Sequence, residues 1–414
     1  MSLFFAPSRK LAAARLERGG PRIYDPRERI ALGAFDLLLR AASPLLGLRP
    51  PRDSLDVRDV KRILALRLDR LGDLLTTLPA LKALRRAAPG AHLELAVGSW
   101  NEPIARRLPF VDSVRIVDTP WAAWGARGKK VRFQDARKAL QGDPPDLDID
   151  LAIDFQGDVR VLLLMASTRA KLRAGYGDTG GAYLLTHRGR WDETKSWYWQ
   201  NLELVRALFP DVDNDFSPVN FVTPEDRELA KPLIGASSRP LVGIHPSAGR
   251  ALKQWEVEKF ASLADKLSAR ARVIVTGASA DRALVETIVS KATSKPETLL
   301  GSGLATFAAV VERFDVFVTG DTGPMHLAHA VGTPNVAIFG PSDPVRYGPP
   351  DNAAVWRRVV RQPVYCSPCN MIRRPPTECA RATAPECIAG ISVEQVLDAV
   401  TEALASPTGA SGAN

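Results

Sequence analysis

The rhythm of hydrophobic and polar positions changes near residue 61. Before it the chain is basic and punctuated by prolines, and a helical rhythm appears only over about residues 26–46. After it, short unbroken apolar runs alternate with stretches whose leucines recur at helical spacing. Residues 63–66, Ile-Leu-Ala-Leu, form one such run, as a parallel strand buried on both faces requires. Leu74, Leu78, Leu81 and Leu84 then mark one face of a helix, which Pro89 and Gly90 end. Strands are predicted again at 93–97, 114–117 and 151–153. Such alternation predicts a parallel sheet with helical crossovers.

A stretch rich in Trp, Gly, Lys and Arg over 119–145 interrupts the alternation and reads as an inserted loop with one short helix, a kind of segment that often touches substrate. The Ala-Ser-Ser-Arg-Pro segment at 236–240 reads as a linker. A second series follows, with strands predicted at 241–244, 273–275, 316–318 and 336–339. Two halves of like design predict an α/β protein of two Rossmann-like lobes, with parallel sheets facing a central cleft and a helical N-terminal extension. The divisions fall at 1–60, the basic extension with its amphipathic helix, at 61–235 and 236–390, the two lobes, and at 391–414, a C-terminal helix and flexible tail.

A chain of 414 residues exceeds what one hydrophobic core serves, which agrees with two lobes. A formal charge of +9 favours an acidic partner: nucleic acid, an anionic membrane surface or a phosphorylated substrate. No charged and apolar leader opens the chain, so the cytoplasm is the expected compartment. The apolar stretch at 30–48 is broken by Asp36, Arg40 and Pro44, which makes it a poor spanning helix. Packing of this helix on the body is favoured over docking on a membrane.

In open α/β sheets ligands sit beyond the carboxyl ends of the strands, so the chemistry is sought there. After 316–319 come Gly320, Asp321, Thr322, Gly323, Pro324, Met325 and His326, and then a helix that Gly332 and Pro334 stop. The helix start offers backbone N–H groups and a positive dipole end, Thr322 adds a hydroxyl, and the glycines allow close approach. Together these make an anion site fit for a diphosphate. A plain turn in which Asp321 caps backbone donors is an equal reading of these residues alone. His326 suits a phosphate better than a metal, because no third ligand accompanies it and His329, which reads as structural.

The loop at 245–253 supplies Ser247, small residues and Lys253, a set suited to phosphate oxygens and to charge building on a leaving diphosphate. Asp281, beyond the strand at 273–275, suits a ribose hydroxyl or a helix cap equally. In the first half, Asp73 stands at a helix start, placed to take a proton from an attacking hydroxyl. Capping is the commoner role of such an aspartate. Arg67 and Arg70 beside it suit an anionic acceptor. The four cysteines, Cys366, Cys369, Cys379 and Cys387, have a spacing compatible with zinc or with reduced structural thiols. The triplets Asp146-Leu-Asp148 and Asp148-Ile-Asp150 look like metal-binding sugar-transferase motifs, but they precede a strand and carry little weight.

Taken together, these strand ends resemble glycosyltransferase family 9, the bacterial heptosyltransferases of lipopolysaccharide core assembly. The resemblance rests on Arg67-Leu-Asp-Arg-Leu-Gly-Asp73 with Leu78-Pro-Ala-Leu81, on Ile153-Asp-Phe-Gln-Gly157, on His245-Pro246, and above all on the continuous stretch from Gly320 to Pro334 and on through Phe339-Gly-Pro-Ser-Asp343. It covers about residues 61–400. It implies a GT-B architecture, with an acceptor on the first lobe and an ADP-sugar, typically ADP-heptose, on the second. Transfer would be inverting and independent of a metal, with no cofactor required. By position, Asp73 matches the catalytic base, Arg67, Arg70, Gly72, Gln156 and Gly157 the acceptor side, and Lys253 a phosphate contact. His245, Ser247, Asp321, Thr322, Gly323, Pro324 and His326 match the donor side, and Asp281 a ribose contact. The acceptor implied is an anionic lipid-linked oligosaccharide at the inner face of the cytoplasmic membrane, with the enzyme peripheral to that surface. The first 60 residues and the insertion at 119–145 depart from the simplest members, and both bear on the acceptor.

Two other classes compete. A nucleotide-sugar epimerase or hydrolase on the same scaffold needs no lipid acceptor and alters its donor alone. A nucleic-acid-binding protein using the cysteines with Arg373 and Arg374 lacks interleaved aromatics and a recognised binding fold, so no nucleic-acid partner is expected.

Overall fold

The computed structural model describes residues 26–48, 56–122, 131–142, 148–192, 194–350, 355–369, 379 and 385–406. Asp146, Arg373, Arg374 and, within the insertion at 119–145, residues 123–130 and 143–145 lie outside the described residues, and its predicted short helix is present as Phe133–Gln141. The chain forms two compact units that divide between Asp215 and Phe216.

The first unit holds β1 (Arg62–Arg67), β2 (His92–Val97), β3 (Ser113–Ile116), β4 (Leu151–Asp154), β5 (Leu172–Gly175) and β6 (His187–Arg188) in the order β3-β2-β1-β4-β5-β6, all parallel. The apolar run in β1 is buried on both faces because helices cover each side. Leu64, Leu66 and Ala152 join Leu162, Met165 and Leu140 in one core cluster. The helix Leu71–Ala87 follows β1 and packs on the helix Trp197–Arg206. Pro79 lies within the first of these, where it removes one ladder hydrogen bond. Beside it the buried Asn201 amide donates to the Thr76 carbonyl at 3.0 Å, fastening the two helices together.

The second unit repeats the design with β7 (Leu241–His245), β8 (Arg272–Gly277), β9 (Glu297–Leu300), β10 (Val316–Gly320), β11 (Asn335–Phe339) and β12 (Arg357–Arg361) in the order β12-β11-β10-β7-β8-β9. Read from the other edge, this is the same winding as in the first unit. Val242, Ile244, Val316, Val318, Val336 and Ile338 pack with Trp255 and Phe260 and with Val396 and Val400 of the helix Val393–Ala405. That last helix therefore completes the second core instead of standing apart.

The expected linker at 236–240 does not mark the division between the units. The helix Pro224–Ile234 packs on Leu304–Glu312, and Arg227 grips Glu312 through two 2.7 Å contacts, so this segment belongs with the second unit. The predicted N-terminal helix is present as Pro26–Ala42 and is tied to the first unit, where the Gly181 N–H donates to Asp36 Oδ1 at 2.5 Å and Arg173 donates to the Leu48 carbonyl at 2.8 Å.

Candidate functional site

Each sheet reverses its winding at one place, between β1 and β4 in the first unit and between β7 and β10 in the second. The carboxyl ends flanking that reversal are where ligands bind in folds of this design. Apart from Asp281, the residues expected on the acceptor and donor sides follow the strands at these two places.

In the first unit Arg67, the last residue of β1, is fully buried. Its Nε donates to the Asp73 carbonyl at 3.0 Å and lies 3.2 Å from Asp69 Oδ1, its Nη1 donates to the Phe155 carbonyl, and its Nη2 stands 3.7 Å from Asp73 Oδ1. The Trp197 ring covers it at 5.6 Å. Arg67, expected from sequence on the acceptor side, is thus held by the protein's own oxygens through Nε and Nη1, while its buried Nη2 has no hydrogen-bond partner. Asp73, in the first turn of Leu71–Ala87, accepts from the Arg70 N–H at 3.2 Å, so it does cap the helix, and its side chain still keeps 35% of its exposure. Arg70 is exposed and Gly72 half-buried beside it.

Two further carboxylates stand close by. Asp154 ends β4 and is fully buried, accepting from the Gln156 and Gly157 N–H groups at 3.0 and 2.9 Å. Burial raises its carboxyl to about 7, against the pull of those N–H groups and of Arg67. Burial also pushes Asp69 well above the usual carboxylate range; Arg67 opposes this, and the neighbouring Asp73 and Asp154 add to it. Gly157 turns the chain at φ +71°, where a Cβ would also meet Tyr176 Cβ at 3.0 Å. Gln156 Oε1 is buried without a hydrogen-bond partner, an arrangement natural proteins seldom leave unanswered. The sequence pattern includes Asp69 and Asp154 but gives them no role, because their burial around one arginine appears only in three dimensions.

In the second unit His245 ends β7 beside Thr319 of β10. It is buried between the Phe307 and Phe317 rings, bonds to Thr276 Oγ1 at 3.0 Å through Nδ1, and burial holds its imidazole down to about 4, so it is neutral at physiological pH. The loop after β7, with half-buried Ser247, is closed by Gln254 donating to the Pro246 carbonyl at 2.7 Å, and it delivers Lys253 onto the buried Asp321 carboxylate. The Lys253 ammonium also lies 5.8 Å from the Tyr347 ring centroid.

This pair bears on both readings of the turn. Asp321 bonds to the lysine and not to the helix. Thr322, the N-cap residue of Gly323–Val331, makes no side-chain bond to the helix start and reaches Thr319 Oγ1 at 3.2 Å instead. The uncapped start, with Pro324 in its first turn and Gly332 ending it at φ +88°, presents its N–H groups next to a lysine. His326 and His329 are buried in that helix. Asp281 accepts from the Ala278 N–H at 2.8 Å, the capping role. Asp150 accepts from the Lys61 and Arg62 N–H groups at 2.9 and 3.0 Å and pairs with Lys171 at 2.7 Å, so the Asp148 to Asp150 triplet is engaged in structure.

The cysteine segment is fastened to the carboxyl end of β11. Ser367 Oγ donates to the Gly340 carbonyl and the Cys369 N–H to the Pro341 carbonyl, each at 2.8 Å. Cys366, Cys369, Cys379 and Cys387 are free thiols, and burial together with the other three cysteines raises Cys387 to about 11. Among the described residues no group of three or more His, Cys, Asp or Glu side chains has metal-holding geometry, and no helix is long and apolar enough to cross a membrane.

Two sheets of this winding, one with carboxylates at its reversal and one with a lysine beside an uncapped helix start, have the design of two-domain sugar-transferring enzymes. The chain belongs to glycosyltransferase family 9 (heptosyltransferase), which matches residues 146–375, and it is a glycosyltransferase. It is 25% identical over 296 residues to lipopolysaccharide heptosyltransferase 3 of Escherichia coli, across 68% of this chain and 84% of that protein. A family 9 glycosyltransferase of Veillonella parvula shares the fold at TM-score 0.70 and 23% identity, across 85% of this chain and 99% of that one. A heptosyltransferase of E. coli solved with ADP-2-deoxy-2-fluoro heptose shares it at TM-score 0.60 and 19% identity, across 82% and 99%.

Proposed function

We propose that this enzyme transfers a heptose from ADP-heptose to an anionic, lipid-linked core oligosaccharide with inversion at the anomeric carbon. The reading rests on the uncapped start of Gly323–Val331 with Lys253 drawn onto it by Asp321. The second unit then holds the donor: the diphosphate lies against the helix start and Lys253, with Thr322, Gly323 and His326 around it and His245 and Ser247 on the opposing loop. The first unit takes the acceptor. Asp73 removes the proton of the attacking hydroxyl, whose oxygen bonds to the anomeric carbon as the bond from that carbon to the diphosphate breaks. The electron pair leaves with ADP, stabilised by the lysine and the helix dipole.

Arg70, Gly72 and the unpartnered Gln156 Oε1 face the acceptor side of this scheme, and Arg67 is a positioning residue that fixes Asp73. Because Lys253 and the helix start supply the positive charge, transfer proceeds without a divalent ion, and a chelator leaves turnover unchanged. The work is done at the cytoplasmic face of the membrane that carries the acceptor. A panel of nucleotide-sugars, with mass spectrometry of the product on core lipid, tests the reading. ADP-heptose should be the donor consumed, and its sugar should appear on the lipid. An altered sugar formed from donor alone would establish an epimerase or hydrolase instead.

A further inference from the structure

The helix Pro26–Ala42 is turned opposite to the usual sense. Its half-buried side includes Leu32, Asp36 and Leu39 at helical spacing, with the buried Ser43 just beyond its end, and Asp36 accepts there from the Gly181 N–H. On the opposite side Ile30, Leu37 and Leu38 are 71%, 71% and 72% exposed, and in the turn that follows Leu45 is 92% exposed. Ala34 and Ala41 complete that face. Single exposed leucines are ordinary on protein surfaces, but a helix-long stripe of them marks a binding surface. Ordinary packing would place that stripe inward and the aspartate outward.

We propose that this outward face lies on an anionic lipid surface and holds the enzyme there. Charge selects this occupant. Arg27 and Arg40 are exposed on the same helix, and residues 1–52 carry ten Arg and Lys against four Asp and Glu. An apolar stripe rimmed by arginine suits acyl chains below and anionic headgroups around it. A second copy of the chain would set arginine against arginine at the rim. The helix is too short and too interrupted to span, so it lies in the plane of the surface. The inference names the surface that the proposed lipid-linked acceptor requires, and it rests on that reading only for the identity of the membrane.

The test uses the full chain without donor. Flotation with phosphatidylcholine vesicles containing phosphatidylglycerol should carry the protein up, pure phosphatidylcholine should do so less well, and added salt should weaken the binding. Leu37→Ser and Leu38→Ser, at positions too exposed to support folding, should each weaken vesicle binding about tenfold, and Arg40→Glu should weaken it only on the anionic vesicles. Transfer to a delipidated acceptor oligosaccharide should be the same for all three. Unchanged flotation of the serine variants, or a wild type that stays at the bottom of the gradient, would overturn the proposal. So would sedimentation showing a dimer that the serine variants convert to monomer. Failure of transfer with intact flotation would count against the proposed reaction and not against the docking face.

Discussion

Asp73 and Lys253 carry opposite halves of the proposed chemistry, and their variants should part accordingly. Asp73→Asn removes a base that acts on the acceptor alone, so turnover should fall by roughly 10²–10⁴-fold while ADP binding measured by calorimetry stays near wild type. Lys253→Ala removes the proposed diphosphate contact and also strands the buried Asp321 carboxylate. It should weaken ADP binding, lower turnover and cost about 1–3 kcal/mol of stability. Wild-type turnover in Asp73→Asn would remove the base from the mechanism. The buried titratable groups make a second prediction. Burial, with His326 and Arg357 adding to it, holds the His329 imidazole from its ordinary 6.5 down to about 3. As pH falls through that window the unfolded chain takes up a proton that the folded chain refuses, so stability is lost on acidification, by up to about 1.4 kcal/mol per pH unit for one such histidine. His245 acts in the same sense down to about 4. Asp154 acts in the opposite sense: its carboxyl is raised to about 7, so its contribution is lost as pH rises toward that value. His329→Gln should therefore show a smaller fall in urea midpoint than wild type between the two histidine values. Equal falls would mean that His329 protonates as freely in the folded state as in the unfolded. None of these shifts is legible in the sequence, because a histidine or aspartate looks the same buried or exposed until its neighbours are known.

Among the elements, β7 shows how tightly the proposed donor side is built. Gly243 pairs with Phe317 of β10, and a Cβ on it would stand 2.5 Å from the Phe314 ring, which stacks on Phe317 at 5.7 Å. Gly243→Ala should destabilise by about 1–3 kcal/mol through overpacking, read as a lowered melting temperature, and by pushing on Phe317 it should also disturb His245 and weaken ADP binding. A fully stable variant with wild-type ADP affinity would show that the ring stack has room to give. The central strands were readable because burial on both faces writes an unbroken apolar run, as in 63–66 and 316–318. β9 and β12 were not, since an edge strand has less to bury and carries charges such as Glu297, Arg357, Arg358 and Arg361. β6, with two residues, leaves no pattern to read. The helix Pro224–Ile234 has an apolar face that fits either neighbour, and only its packing on Leu304–Glu312 and the Arg227 to Glu312 pair assign it.

The molecule consists of two units with separate cores, each wound in the same order about its own point of reversal. The duplicated alternation made this plan visible in the sequence, although the Ser- and Pro-containing segment at 236–240 pointed to a division later than the observed one. Calorimetry should reflect the division. Two unfolding transitions are expected, and ADP should raise the one belonging to the second unit, by an amount that grows with the logarithm of its concentration. Unfolding in a single transition that ADP shifts as a whole would show the units to be thermodynamically inseparable. The Lys253 to Asp321 pair bears on the end of the catalytic cycle as well as its start. Lys253 has a counter-ion of its own in Asp321. In the proposed reaction a diphosphate would compete with Asp321 for it, which tempers affinity, and a departing ADP would be replaced at once by the aspartate, so that no bare charge is left behind. An enzyme that must release a tightly charged product on every turn gains speed from such an internal substitute.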